Sequence, residues 1–166
     1  MNNCHDINQL ELLVFEWKAD GKRVVFTNGV FDILHIGHVQ YLQKANEFGD
    51  KLVVAINSDV SVKKLNKGPE RPINPEFARA YIVGSLSCVD ATIIFNGETP
   101  IELITQIKPD ILVKGGDYDA NETDPSSKKY IVGSAEVIAT GGLVLTIDLV
   151  NGYSTTGIVK KLRSKQ

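Results

Sequence analysis

Two histidines, His35 and His38, stand three apart with Gly37 between them, close behind the string Thr27-Asn28-Gly29-Val30-Phe31-Asp32. An imidazole donates hydrogen bonds near neutral pH and readily takes a proton beside an anion. The string follows an apolar run of strand type and leads into a helical pattern over residues 39–48. A histidine pair at such an entrance is placed to hold a phosphate chain. The free N–H groups of the first turn and the helix dipole point at an incoming anion there, and Gly37 lets that anion approach the backbone closely. Zinc is the other common use of paired histidines, but it needs a further ligand. Cys4, His5 and Cys88 are the remaining soft donors, and none stands at a ligand-like spacing.

Three more strings carry candidate chemistry. Asn57-Ser58-Asp59, Lys114-Gly115-Gly116-Asp117-Tyr118 and Ser154-Thr155-Thr156 each come after an apolar run of strand type. Ligands of open parallel sheets bind beyond the carboxyl ends of the strands, so these strings converge with residues 27–38 on one site. Gly115 and Gly116 allow close backbone approach to a base or sugar. Asp117 can accept from a hydroxyl or amine, and Lys114 is a cation for phosphates or a tether. The same string also reads as a plain turn. Ser154-Thr155-Thr156 reads as a helix cap and, equally, as a second phosphate-binding surface.

The stretch from Lys63 and Lys64 through Lys67 to Arg71 reads as a solvated basic loop or as a segment folding over a phosphorylated substrate. Arg71 lies between Pro69 and Pro72, so a bidentate phosphate contact from it loses less entropy. Arg79 falls inside a helical pattern, either as a surface arginine or as part of the site.

The elements that must position these residues are legible as an alternation. Residues 24–27, 52–56, 92–95, 111–113 and 143–147 are short runs rich in Val, Ile and Leu. Residues 39–48, 75–86, 100–107 and 130–139 fit helices. Continuously apolar strands between helices predict a doubly wound, Rossmann-like α/β fold with a five-stranded parallel sheet covered on both faces. Asn74-Pro75-Glu76 and Glu98-Thr99-Pro100 look like capped helix starts with Pro in the first position. Gly49-Asp50 and Gly141-Gly142 look like stops.

Residues 1–20 are expected to form a helical extension packed on a domain of residues 21–166. Its Leu10, Leu13, Val14 and Trp17 recur at helical spacing. Residues 155–162 are expected to close the fold as a helix. The polar insertion at residues 117–129 is expected to be a mobile loop, and its acidic cluster lacks the spacing and central glycine of a calcium-binding loop.

Bulk properties narrow the function class. The chain has 166 residues, 43% of them hydrophobic, which suits one α/β domain with a real core. A net charge of -2 argues against a general nucleic-acid binder. Two distant cysteines read as free thiols of a reducing compartment. No start resembles a signal peptide and no run is long enough for a membrane span. The expectation is a soluble cytoplasmic protein with no membrane partner.

The motifs resemble those of the nucleotidyltransferases of the cytidylyltransferase-like superfamily. His-x-Gly-His follows Asn28-Gly29-x-Phe31-Asp32, and Ser154-Thr155-Thr156 returns near the C-terminus. Within that superfamily the chain is most similar to the adenylyltransferases that activate heptose 1-phosphate. Residues 27–38, Asn57-Ser58-Asp59, Lys67-Gly68-Pro69, Arg71-Pro72-Ile73-Asn74, residues 112–118 and residues 152–162 carry the likeness, over residues 20–163. No sugar-kinase half accompanies it, so the resemblance implies a stand-alone version.

The same resemblance implies ATP and a sugar 1-phosphate as substrates, ADP-heptose for lipopolysaccharide core synthesis as product, and Mg²⁺ bound mainly through the nucleotide phosphates. It implies catalytic roles for His35, His38, Lys44 and Thr155. It assigns the nucleotide to Thr27, Asn28, Gly29, Phe31, Asp32, Gly37, His38, Asp59, Arg79, Lys114, Gly115, Asp117, Ser154, Thr155 and Thr156. The acceptor falls to Asn57, Lys67, Arg71 and Tyr118, and no side chain is assigned as a metal ligand. A homo-oligomer, specifically a dimer, is expected.

Asn46 stands where relatives often carry Arg or Lys, which moves a first-helix phosphate contact to Lys44. The insertion at residues 119–129 is longer than the resemblance leads one to expect. Residues 150–153 lack the arginine of glycerol-3-phosphate cytidylyltransferases. That enzyme class and a non-catalytic nucleotide-binding module are the alternative readings.

Overall fold

A computed structural model describes residues 4–65, 68, 70–116, 118–148 and 152–163. The chain runs β1 (Cys4–His5), α1 (Ile7–Ala19), β2 (Val24–Gly29), α2 (Ile36–Asn46), β3 (Lys51–Asn57), α3 (Asp59–Lys64) and α4 (Glu76–Gly84). It continues through β4 (Ala91–Phe95), α5 (Ile101–Ile107), β5 (Ile111–Gly115), α6 (Ser134–Ala139), β6 (Leu143–Ile147) and α7 (Thr155–Arg163). The strands form one parallel sheet in the order β1-β4-β3-β2-β5-β6. After β4 the chain crosses back over the sheet through α5, so the winding reverses between β2 and β5. That reversal opens a crevice at the carboxyl ends of those two strands, where such folds bind ligands.

The central strands are continuously apolar because both faces are covered. Val24, Val25 and Phe26 of β2 and Leu52 through Ile56 of β3 are fully buried. One face packs under α1, α5 and α6, with Leu10, Val14, Leu103, Ile104, Ile131 and Val137 in its core. The other packs under α2 and α4, with Tyr41, Leu42, Ala45, Ala80 and Val83. Leu10 and Val14 set the inward stripe of α1, and Leu13 and Trp17 flank it.

Several expectations need correction. The sheet has six strands, not five. The extra strand, β1, pairs Cys4 with Thr92 and His5 with Ile93. Two residues are too few to show any alternation, and Asp6 immediately starts α1 through a reciprocal cap with Gln9. Helix α3 occupies part of the stretch read as a basic loop. Its 6 residues are too short for an amphipathic period, and it rests on Ser58 accepting from the Ser61 N–H at 3.1 Å.

Helix α6 starts at Ser134 rather than residue 130, because Ile131 is drawn into the core and Gly133 takes a left-handed φ of 92°. A Cβ at Gly133 would sit 2.4 Å from Ile104 Cδ1. Helices α4 and α5 each begin one residue later than read, with Pro75 and Pro100 as the capping residues. The Asn74 amide is used elsewhere, on the Asp32 carbonyl.

Candidate active site

The entrance of α2 forms one wall of the crevice. His35 caps the helix in extended conformation, and its carbonyl accepts from the N–H groups of His38 and Val39 at 2.9 and 3.2 Å. The rings of His35 and His38 stack, with centroids 3.8 Å apart at 19°. Phe31 meets His38 edge-on at 5.3 Å. Both contacts fix the imidazoles before any ligand arrives. Burial pushes the His35 pKa down, and its buried Nδ1 has no hydrogen-bond partner. Both facts favour the neutral form of the His35 ring.

Two glycines make this arrangement possible. A Cβ at Gly37 would lie 3.1 Å from His35 Nδ1, and one at Gly29 would lie 2.8 Å from Phe31 Cε2. Phe31 itself holds a φ of 48°, a conformation that few non-glycine residues adopt. Gly29→Ala is expected to displace the Phe31 ring and, through it, His38. Since misplacement near 1 Å costs on the order of 10²-fold, kcat should fall toward that extent while the circular dichroism spectrum stays unchanged.

Strands β2 and β5 are tied together across the crevice. Lys114 Nζ donates to Asn28 Oδ1 and lies 5.7 Å from the Tyr118 ring centroid. Lys114 is nearly buried, and desolvation pulls its pKa down to about 8. Thr27 is fully buried and shares a 2.7 Å hydrogen bond with the Tyr41 hydroxyl, which also donates to the Val113 carbonyl at 3.2 Å. Burial pushes the Tyr41 pKa up to about 12.

The lysine has a stability consequence. Between about pH 8 and the unfolded-state lysine value of about 10.4, only the unfolded chain keeps that proton. Stability should therefore rise with pH through this window. Thermal melts at pH 8.0 to 9.5, compared with Lys114→Met, should show the rise only in the unsubstituted protein. Above about pH 10 ionisation of an unfolded tyrosine reverses the sign for Tyr41, so the comparison stops short of it.

Asp32 lines the cleft, and Arg79 holds Val30, which also lines it. Asp32 is 2% exposed. Burial alone would raise its pKa, but the N–H groups of Asn74 and Ile73 and the Arg71 guanidinium outweigh it and hold the carboxyl below its ordinary value. The N–H donors lie at 2.8 Å, and Arg71 pairs through Nε. Asp32 thus anchors the segment carrying Arg71, whose Arg71-Pro72 peptide bond is cis. Arg79 is fully buried rather than on the surface. It donates to the carbonyls of Asn74 and Val30 at 2.9 and 2.6 Å, and to Asp59 Oδ1 at 2.8 Å.

The cleft has a volume of about 820 Å³. His35, Gly37 and His38 line it together with Ser154, Thr155 and Thr156. Ser154 caps α7 by accepting from the Gly157 N–H at 3.0 Å. Two helix entrances therefore face one cavity, an arrangement whose free N–H groups suit an anion. Asn28, Gly29, Phe31, Asp32, Asn57, Arg71, Lys114, Gly115 and Tyr118 also reach its wall.

Thr27, Asp59 and Arg79 do not line the cleft; Thr27 holds Tyr41 and Arg79 holds Val30, which do, and Asp59 pairs with Arg79. Lys44 is exposed in the last turn of α2, roughly 9 Å along the axis from His38 at 1.5 Å per residue. Asp117 and Lys67 lie outside the described residues. The sequence reading missed Tyr41, Glu98, Thr99, Lys128, Tyr130 and Tyr153. Glu98 and Thr99 follow the carboxyl end of β4, so the strand-end rule applied to β4 would have found them. Nothing in the local pattern marks Lys128 or Tyr130.

The cytidylyltransferase-like family model matches residues 26–161. The chain is 55% identical over 159 residues to the bifunctional protein HldE of a Nitratiruptor species, covering 96% of this chain and 32% of that protein. It is 49% identical over 155 residues to HldE of Escherichia coli O157:H7, covering 93% of this chain and 31% of the relative. The chain thus spans about a third of the length of these relatives.

Among solved structures, the lipopolysaccharide core biosynthesis protein of Thermoplasma volcanium superimposes with a TM-score of 0.59 at 27% identity, over 81% of this chain and all of that one. Pantothenate synthetase of Thermus thermophilus shares the fold with a TM-score of 0.63 at 12% identity, over 98% of this chain and 70% of its own. With the histidine pair, the second helix entrance and the family match in agreement, the chain belongs to the cytidylyltransferase-like family of nucleotidyltransferases.

Proposed function

We propose that this chain transfers AMP from ATP to D-glycero-D-manno-heptose 1-phosphate, releasing pyrophosphate and ADP-heptose for lipopolysaccharide core synthesis. The observation that carries the reading is the convergence of the His35–His38 stack and the Ser154–Thr156 helix entrance on one cleft at the reversal of the sheet. The identity with HldE proteins and the likeness to a lipopolysaccharide core biosynthesis protein support the choice of acceptor.

The acceptor phosphate attacks the α-phosphorus of ATP in line. One P–O bond forms to the sugar phosphate, the α–β bridge breaks, and its electron pair leaves on pyrophosphate. A phosphate monoester has a second pKa of about 6, so the attacking oxygen is already ionised at neutral pH and needs no protein base. Catalysis is then positioning and charge stabilisation. His35, His38 and the α7 entrance hold the β- and γ-phosphates and meet the charge that grows on the leaving group. Lys114 and Arg71 add positive charge along the same cavity.

Mg²⁺, when bound, neutralises phosphate charge. Among the described residues no three His, Cys, Asp or Glu side chains converge on a point, and Asp32 is committed to Arg71 and two N–H groups. In this reading the ion would be held mainly through phosphate oxygens. No helix among the described residues is long and apolar enough to cross a membrane. The same reading takes the working unit as a cytoplasmic homodimer, with sedimentation velocity as the check on the dimer.

The test is a matrix of ATP, CTP and GTP against heptose 1-phosphate, glycerol 3-phosphate and phosphopantetheine, read as pyrophosphate released. ATP with heptose 1-phosphate should give the highest turnover. Turnover confined to CTP and glycerol 3-phosphate would overturn the substrate assignment. Nucleotide binding without pyrophosphate from any pair would favour a non-catalytic module.

A further inference from the structure

The cleft has a second wall that no motif accounts for. The phosphate wall belongs to α2 and α7. The cleft is also lined by Glu98 and Thr99, just before α5, and by Lys128, Tyr130 and Val132, just before α6. These two segments are held to each other on the α1–α5–α6 side of the sheet. Ile131 is fully buried in the core beside Ile104, and Gly133 sits against the Ile104 side chain. Burying Ile131 leaves its half-buried neighbours, Tyr130 and Val132, to line the cavity.

The insertion that carries Lys128 is internally tied. Asp119 donates its N–H to the Lys129 carbonyl at 3.0 Å, and the Asp119, Glu122 and Asp124 carboxylates accept from N–H groups within the loop at 2.9, 3.0 and 2.9 Å. Its acidic side chains are therefore spent on its own backbone, and Lys128 is delivered to the cleft by a built turn.

Charge distinguishes this wall. Of the lysines and arginines lining the cleft among the described residues, Arg71 is paired with Asp32 and Lys114 is bound to Asn28. Lys128 has an exposed ammonium engaged with no side chain or carbonyl of the described chain, and the Glu98 carboxylate and Tyr130 hydroxyl are likewise unengaged. A cation, an acceptor carboxylate and an aromatic face on one wall are the chemistry that a phosphorylated polyol asks for. The cation meets the phosphate, the carboxylate accepts from hydroxyls, and the ring packs on the apolar face of a sugar.

We propose that Lys128, Tyr130 and Glu98 form the acceptor subsite, with Lys128 on the phosphate of the sugar and Glu98 on its hydroxyls. This rests on the reading of the chain as a sugar 1-phosphate adenylyltransferase, and it makes the insertion a specificity element.

Calorimetric titration of the full chain tests it without requiring turnover. A non-hydrolysable ATP analogue is titrated first, then heptose 1-phosphate in the presence of that analogue, into the unsubstituted protein and into Lys128→Ala, Lys128→Arg and Tyr130→Ala. Lys128→Ala should weaken heptose 1-phosphate at least tenfold and leave the Kd of the ATP analogue within twofold. Lys128→Arg should recover most of the loss, which a merely structural role would not do. Tyr130→Ala should weaken the acceptor alone.

Unchanged acceptor binding in Lys128→Ala and Tyr130→Ala, or an equal loss of both ligands, would overturn the subsite. If the unsubstituted protein instead binds and adenylylates another phosphorylated polyol, the heptose assignment fails. The same comparison on that polyol then decides the subsite independently.

Discussion

His38→Ala is expected to lower kcat by about 10²–10³-fold, the usual cost of removing a donor aimed at charge that develops in the transition state. The geometry supports an effect on chemistry rather than on folding. His38 lies in the first turn of α2, where alanine is the better helix former. Its ring is held by the His35 stack and the Phe31 edge, so the donor is in place before reaction. If its hydrogen bond strengthens as pyrophosphate leaves, kcat and kcat/KM fall together and KM for ATP changes little. Steady-state kinetics at saturating acceptor read this directly. Undiminished turnover would remove His38 from the reaction.

The second large effect is on stability. Arg79→Leu is expected to lower Tm by about 10 °C, since a chain of this size loses roughly 2–4 °C per kcal/mol. The substitution strips hydrogen bonds from the Val30 and Asn74 carbonyls and the cation from Asp59. Each buried acceptor left unpaired costs about 1–3 kcal/mol. Asp59 is 34% exposed, so water screens the ion pair and the carbonyls account for most of the loss. Arg79→Lys should recover little, because one ammonium cannot span three acceptors on two loops and a helix. A thermal melt within about 2 °C of the parent for Arg79→Leu would show that the network carries no weight at this scale.

That arginine also shows what sequence can and cannot reveal. Its letters fit a surface position on a helix, and only the tertiary placement of Val30 and Asp59 makes it a buried hub. The long central strands were legible because burial on both faces demands runs such as Leu52-Val53-Val54-Ala55-Ile56. The two-residue β1 was not, since pairing with β4 is decided by neighbours rather than by its own pattern.

The histidine-bearing entrance of α2 was legible for a similar reason. The requirements at Gly29 and Gly37 are local, set by rings two residues away. Asp32 was read as a nucleotide contact, yet its carboxylate is saturated by Arg71, Ile73 and Asn74, partners some 40 positions along the chain. The contribution of Lys128 and Tyr130 to the cleft was invisible because they reach it only through the burial of Ile131 and the seat of Gly133 on Ile104.

The most direct test of the central claim is a crystal structure of the chain with a non-hydrolysable ATP analogue. The β- and γ-phosphates are expected between the imidazoles of His35 and His38 and the N-terminal turn of α7, within hydrogen-bond reach of both. A triphosphate bound elsewhere, touching neither helix entrance, would contradict it.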